Sequence, residues 1–184
     1  MANNTVYIND LYKAAAKAVG DTGIFPETVV TQKILESGYT DSKLATIANN
    51  YFGIKSSIGW KGKVISMSTN EFFNGKMIRY PGTNKIYDNR ILALKDGANA
   101  YTLFRWYPTK EAGLKGYVDL ITGNPRYKKA GVLDAKTIAD QFAALVRAGY
   151  ATDPEYLNKL VKVYTNIKGF FFRASNSLLS KFLK

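Results

Sequence analysis

Apolar residues recur at helical spacing over residues 8–20, where Leu11, Ala14, Ala15, Ala18 and Val19 form one stripe and Gly20 can close the helix. Pro26 suits the first turn of a second helix and Glu27 its positive end. Val29, Val30, Ile34 and Leu35 make its apolar face, and Ser37-Gly38 ends it. Asp41 or Ser42 then caps a short helix through Leu44, Ile47 and Ala48. From about residue 52 to 107 the pattern changes to Gly, Asn, Thr, Tyr and β-branched residues. Segments 63–67, 77–80 and 100–106 predict strands, Asn74-Gly75 a tight hairpin turn, and 81–99 a loop-rich stretch. Helical periodicity returns over 111–122 and stops at Gly123-Asn124-Pro125. It resumes over 135–148, with Ile138, Phe142, Leu145 and Val146 on one face and Gly149 as the stop, and again from Glu155 onward. No repeat or low-complexity linker interrupts this order. It predicts an α+β domain, mainly α, over residues 1–165, with a small β-lobe at about 56–107 inserted between helical parts.

The last segment, 166–184, continues a run that begins near residue 157. That run carries Lys159, Lys162, Lys168, Arg173, Lys181 and Lys184 and no acid, interleaved with Leu160, Tyr164, Ile167, Phe170, Phe171, Phe172, Leu178 and Phe182. Gly169 is expected to break or kink it. Two readings stay open: a basic amphipathic helix for an anionic membrane surface, and a terminal helix packing its stripe on the domain.

Composition narrows the chemistry. At 184 residues, 46% hydrophobic and 22% charged, the chain is globular and sized for one domain. It contains no His and no Cys. A Ser-His-Asp triad, a Cys nucleophile and a His-ligated zinc hydrolase are therefore excluded. Hydrolytic chemistry must run on carboxylates, Lys, Ser/Thr, Tyr or an oxygen-ligated metal. The 13 Tyr can line a groove for sugars or peptides, or equally pack a core. A net charge of +12 favours a polyanion: nucleic acid, an anionic membrane or a cell-wall polymer. No arginine-rich arm or zinc-finger spacing selects nucleic acid. Residues 1–8 lack a basic region followed by an apolar run, so the chain is expected to begin soluble in the cytoplasm.

Among the carboxylates, Glu36 stands near a helix end with apolar neighbours. Partial burial there raises a carboxyl pKa and lets it hold a proton near neutrality, as a general acid requires. A solvated surface charge is the competing reading of that residue alone. The surrounding motifs add a second line. Glu36-Ser37-Gly38-Tyr39, Ser42-Lys43-Leu44-Ala45 and Asn49-Asn50-Tyr51-Phe52-Gly53-Ile54-Lys55 closely resemble the signature of family 73 glycoside hydrolases, the bacterial and phage endo-β-N-acetylglucosaminidases. Trp60-Lys61-Gly62, Glu71 with Asn74-Gly75, Phe104-Arg105-Trp106-Tyr107, Asn124-Pro125-Arg126-Tyr127 and Gly149-Tyr150-Ala151-Thr152-Asp153-Pro154 with Tyr156 follow in the family's order. Each motif is short; the ordered series, over about residues 10–165, is specific.

The resemblance implies a lysozyme-like helical fold with a β-lobe, and cleavage of β-1,4 bonds on the N-acetylglucosamine side of peptidoglycan glycan strands. It implies Glu36 as general acid and Glu71, on the lobe, as the second carboxylate. Glu71 would activate water or assist attack by the substrate's own acetamido group; a hairpin surface charge is its competing reading. Asn50, Phe52, Tyr127, Tyr150 and Tyr156 are the expected sugar-binding residues, since aromatic rings stack on sugar faces and amides bond hydroxyl and acetamido groups. For Phe52, Tyr127 and Tyr156 packing is the alternative. No cofactor or metal is expected, and the chain is expected to act as a monomer. Two departures stand out. Thr40 occupies a place where the family has glycine, which predicts a changed turn after Glu36. The stretch between Glu71 and Phe104 is longer than usual, which predicts an enlarged lobe or an added loop. A compact glycosidase of this kind suits a phage endolysin. A muramidase, which uses the same glutamate, and a non-catalytic wall-binding virion protein remain rivals.

Overall fold

The computed structural model describes residues 2–182, with side chains described over 4–171. The chain divides into two compact units, one formed by residues 1–40 and 114–184, the other by 41–113. The first is helical. It holds α1 (Ala2–Val19), α2 (Pro26–Ser37), most of a helix at Lys110–Thr122 that becomes α5 in chain order, α6 (Pro125–Lys129), α7 (Ile138–Arg147) and α8 (Tyr156–Phe182). The second holds α3 (Lys43–Ala48), α4 (Arg90–Lys95) and five short strands. An α+β fold, mainly helical, with a β-containing insertion is thus present.

Hydrophobic periodicity explains the helical unit. Ile8, Leu11 and Ala15 of α1, Val29, Val30 and Ile34 of α2, Leu145 of α7, and Leu160 and Ile167 of α8 are all buried. Helix α2 packs against α1, α7 and α8, so its middle is sealed on most sides. Pro26 occupies its first turn, as its fixed φ favours. At the other end Gly38, at φ 67°, donates its N–H to Ile34 O at 2.8 Å. That backbone conformation favours glycine.

In the second unit, β1 (Val64–Ser66) lies between β4 (Ile86–Tyr87) and β5 (Leu103–Arg105) in an antiparallel sheet. Alternate residues of β1 feed different clusters. Val64 packs with Tyr87, Ala93, Ala98 and Leu103, while Ile65 packs with Ala48, Met67 and Phe104. The strands β2 (Thr69–Phe73) and β3 (Lys76–Tyr80) form a separate hairpin that pairs Glu71 with Ile78. Asn74 and Gly75 turn it at φ 47° and 78°, the double positive φ that a tight hairpin requires.

Several elements differ from their sequence expectation. Helix α1 begins at Ala2 because no Gly or Pro interrupts the chain ahead of its apolar stripe. The loop-rich stretch 81–99 contains β4 and α4, the latter capped by the Asn89 side chain accepting from Leu92 N at 3.0 Å. Pro125 stops one helix and also opens α6, where it needs no N–H partner. The β unit begins at Asp41, taking α3 with it, and ends at Gly113. Helix α8 continues through Gly169 without a break; it buries Ile167 and Phe171. Residues 172–184, with their predicted basic and aromatic side chains, lie outside the described side chains. Among the described residues no helix is long and apolar enough to cross a membrane.

Candidate active site

The sequence places Glu36 in the last turn of α2, two residues beyond the buried Ile34. Its side chain remains exposed. Desolvation by the surrounding protein nevertheless raises its carboxyl above the ordinary 4.5. The negative end of the α2 dipole acts in the same sense. An acid that is reachable from solvent yet reluctant to ionise can deliver a proton.

The turn behind Glu36 is held by a buried lysine. Lys33, one turn earlier and 0% exposed, donates from Nζ to Thr40 O at 2.7 Å and Gly38 O at 3.4 Å. Its ammonium also stands 4.7 Å from the Tyr7 ring centroid. The Thr40 hydroxyl donates to Ser37 O at 3.4 Å. Thr40 does not adopt positive φ: among the described residues that conformation falls on Gly38 and other glycines and on three asparagines.

A tyrosine cluster stands beside Glu36. Tyr150 stacks on Tyr156 at 5.8 Å and meets Tyr117 and Tyr127 at 6.2 and 6.4 Å between centroids. Gln32, one turn before Glu36 and fully buried, joins two of these phenols. It accepts from the Tyr117 hydroxyl and donates Nε2 to Tyr156 Oη at 3.1 Å. Burial pushes the Tyr117, Tyr150 and Tyr156 hydroxyls well above their ordinary value, and the nearby Glu36 charge adds to the effect. These hydroxyls therefore stay protonated at neutral pH. Arg126 covers the Tyr127 ring and donates to its hydroxyl. Of the expected sugar-binding tyrosines, Tyr127 and Tyr156 are buried at 1% and 5% exposure, and Tyr150 is half-buried.

In the β unit Glu71 carries the opposite electrostatics. Lys55 Nζ lies 2.6 Å from Glu71 Oε1, and Thr69 Oγ1 donates to the same oxygen at 3.0 Å. The Lys55 hydrogen bond, with the Thr69 bond and the Lys55 charge behind it, outweighs desolvation and holds the carboxyl below 4.5. Glu71 is thus an anion across the neutral range, suited to accept a proton or to stabilise positive charge.

The structure gives Asn50 a different task from the sugar contact expected of it. Its side chain is 1% exposed, and Nδ2 donates to Ile54 O and Arg105 O, each at 2.9 Å, while Oδ1 accepts from Ile54 N at 2.8 Å. The amide is consumed in tying residues 50–54 to β5. Phe52 is half-buried in the same segment. Glu36 is thus grouped with Tyr127, Tyr150 and Tyr156, while Glu71 is grouped with Lys55, and Asn50 supports the backbone. Lys33, Gln32 and Lys55 were not singled out from sequence. Lys55 closes the Asn49–Lys55 motif, whereas Gln32 and Lys33 lie outside the motifs, and a buried lysine is rarely expected. Among the described residues no cluster of acids could hold a metal ion.

The Glucosaminidase family profile, described as mannosyl-glycoprotein endo-β-N-acetylglucosaminidase, matches residues 12–169. The peptidoglycan hydrolase FlgJ of Salmonella typhimurium is 30% identical over 89% of this chain and 46% of its own length. A probable N-acetylmuramidase of Lactococcus lactis is 32% identical over 88% of this chain and 34% of its own. The chain therefore spans half or less of these relatives. The solved glycoside hydrolase domain of the Salmonella FlgJ, C-terminally truncated, matches with a TM-score of 0.63 at 29% identity, covering 90% of this chain and 98% of that one.

Proposed function

Because the chain belongs to the glucosaminidase family of glycoside hydrolases (family 73), we propose that it cleaves β-1,4 glycosidic bonds of peptidoglycan as an endo-β-N-acetylglucosaminidase, with Glu36 as general acid. The observation that carries this reading is the exposed but desolvated Glu36 carboxyl beside protonated tyrosine hydroxyls. Glu36 donates its proton to the glycosidic oxygen as the bond to C1 breaks. Glu71, ionised by its contact with Lys55, serves as the anionic partner. It accepts a proton from attacking water, or stabilises the positive charge when the neighbouring acetamido group attacks. Both routes need it ionised, so its depressed pKa fits either. The half-buried Tyr150 ring supplies an apolar wall for a sugar face.

A muramidase reading is favoured by the 32% identity to a protein named as a probable N-acetylmuramidase. It uses the same acid and differs in the bond cut. The bacteriolytic role expected of a phage endolysin belongs to the same proposal. Its support is the net charge of +12, which attracts the chain to anionic envelope polymers. Turbidity loss of purified cell walls tests the reading. Wild type should clear them, with Glu36→Gln slower by about 10²–10⁴-fold; equal clearing by both would remove Glu36 from the mechanism.

A further inference from the structure

The ammonium of Lys55 has four neighbours within its own unit. Nζ stands 2.6 Å from Glu71 Oε1, 3.2 Å from Thr69 Oγ1 and 2.6 Å from Tyr101 O, and 4.0 Å from the Phe104 ring centroid. Lys55 itself sits in a short bridge to Phe104 of β5, next to the segment that the buried Asn50 amide ties down. Its stem is therefore anchored on the three-stranded sheet, while its head reaches the β2–β3 hairpin. Glu71 and Thr69 lie on one face of β2, two residues apart, so one cation and one hydroxyl converge on a single carboxylate oxygen. The hairpin exposes Phe72 and Met77, and its apolar hold on the rest of the unit is through Phe73 and Tyr80, whose rings stand 5.4 and 4.7 Å from that of Tyr101. The Lys55 head adds a polar fastening at Glu71 itself.

We propose that Lys55 is a positioning residue of the glycosidase reaction: it fastens the Glu71 hairpin to the sheet and keeps one Glu71 oxygen occupied, leaving the other for the reacting groups. This rests on the reading of Glu71 as the working anion. An ion pair at this exposure contributes little to stability by itself, so its effect falls on the placement and charge of Glu71.

The test measures kcat, KM and the acidic limb of the pH–rate profile on soluble peptidoglycan fragments for wild type, Lys55→Met, Lys55→Arg and Glu71→Gln. Melting temperatures are recorded alongside. Lys55→Met should lower kcat by about tenfold or more with KM little changed, and move the acidic limb to higher pH. Lys55→Arg should restore most of the rate and the limb. Should the methionine variant fail to fold, the acidic limb of Lys55→Arg and a ¹³C titration of its Glu71 carboxyl carry the test. A depressed Glu71 titration retained with arginine supports the proposal; an ordinary one overturns it. A rate loss with an unmoved limb, or wild-type kinetics in Lys55→Met, overturns it too. If Glu71→Gln retains full activity, the reading of Glu71 fails instead, whatever Lys55 does.

Discussion

Replacing Gln32 by leucine should destabilise the protein far more than the loss of one surface-type amide would. Gln32 is fully buried and bonds two phenols, Tyr117 at 0% and Tyr156 at 5% exposure. Leucine has nearly the same volume, so no large cavity opens. It leaves two buried hydroxyls without their amide partner, each costing about 1–3 kcal/mol. Offset by the more favourable burial of an apolar side chain, the net loss is about 2–3 kcal/mol. For a chain of this size that corresponds to a fall of about 5–10 °C in Tm. Circular dichroism melts of wild type, Gln32→Leu and the triple variant Gln32→Leu/Tyr117→Phe/Tyr156→Phe provide the assay. The triple variant removes donors and acceptor together, so it should recover most of the loss despite carrying more substitutions. A Gln32→Leu melt within about 1 °C of wild type, or a triple variant less stable than the single one, would refute the claim that the amide satisfies both phenols.

Further outcomes follow from the same geometry. The pH–rate profile should be bell-shaped, its acidic limb below the ordinary glutamate value because Glu71 must be ionised, and its alkaline limb above that value because Glu36 must be protonated; limbs that stay put in Glu36→Gln and Glu71→Gln would contradict both assignments. The raised Glu36 pKa means the folded state binds that proton more tightly than the unfolded chain, so ionising Glu36 removes stability as pH rises through this range. Glu36→Gln should therefore melt higher than wild type near about pH 7 and equally with it near about pH 3. Gly113→Ala should cost at least about 1–3 kcal/mol in a urea titration, since a Cβ there would stand 1.8 Å from Asn49 O, a backbone atom. For the membrane reading of the tail, a chain ending after Phe171 keeps the buried Ile167 and Phe171 while deleting Arg173, Lys181 and Lys184; anionic vesicles should retain the full chain better, and equal retention of the two would end that reading.

Local signals made much of the fold legible. Pro26 and Gly38 bracket α2, Ser42 caps α3 through Ala45 N at 3.1 Å, and Asn74-Gly75 turns the hairpin, because each of these features depends on nearby chain. What escaped was short or non-local. Strand β4 has two residues and α4 six, too few for periodicity to register, and α4 is announced only by its Asn89 cap. Glu36 could be picked out as a candidate because excluding His and Cys left carboxylates, and the ordered motifs then pointed to it. Its supports were not. Gln32 meets Tyr117 and Tyr156 across 85 and 124 residues, and Lys55 meets Glu71 across 16. Asn50 shows the reverse error: an amide in a motif near the site suggested ligand contact, whereas burial assigns it to backbone carbonyls and an N–H.

The central claim is that Glu36 protonates a glycosidic oxygen of peptidoglycan on the N-acetylglucosamine side. Mass spectrometry of borohydride-reduced digests tests it most directly. Wild type should produce fragments ending in reduced N-acetylglucosamine, and Glu36→Gln should produce almost none. Fragments ending in reduced N-acetylmuramic acid, or an undiminished yield from Glu36→Gln, would contradict it.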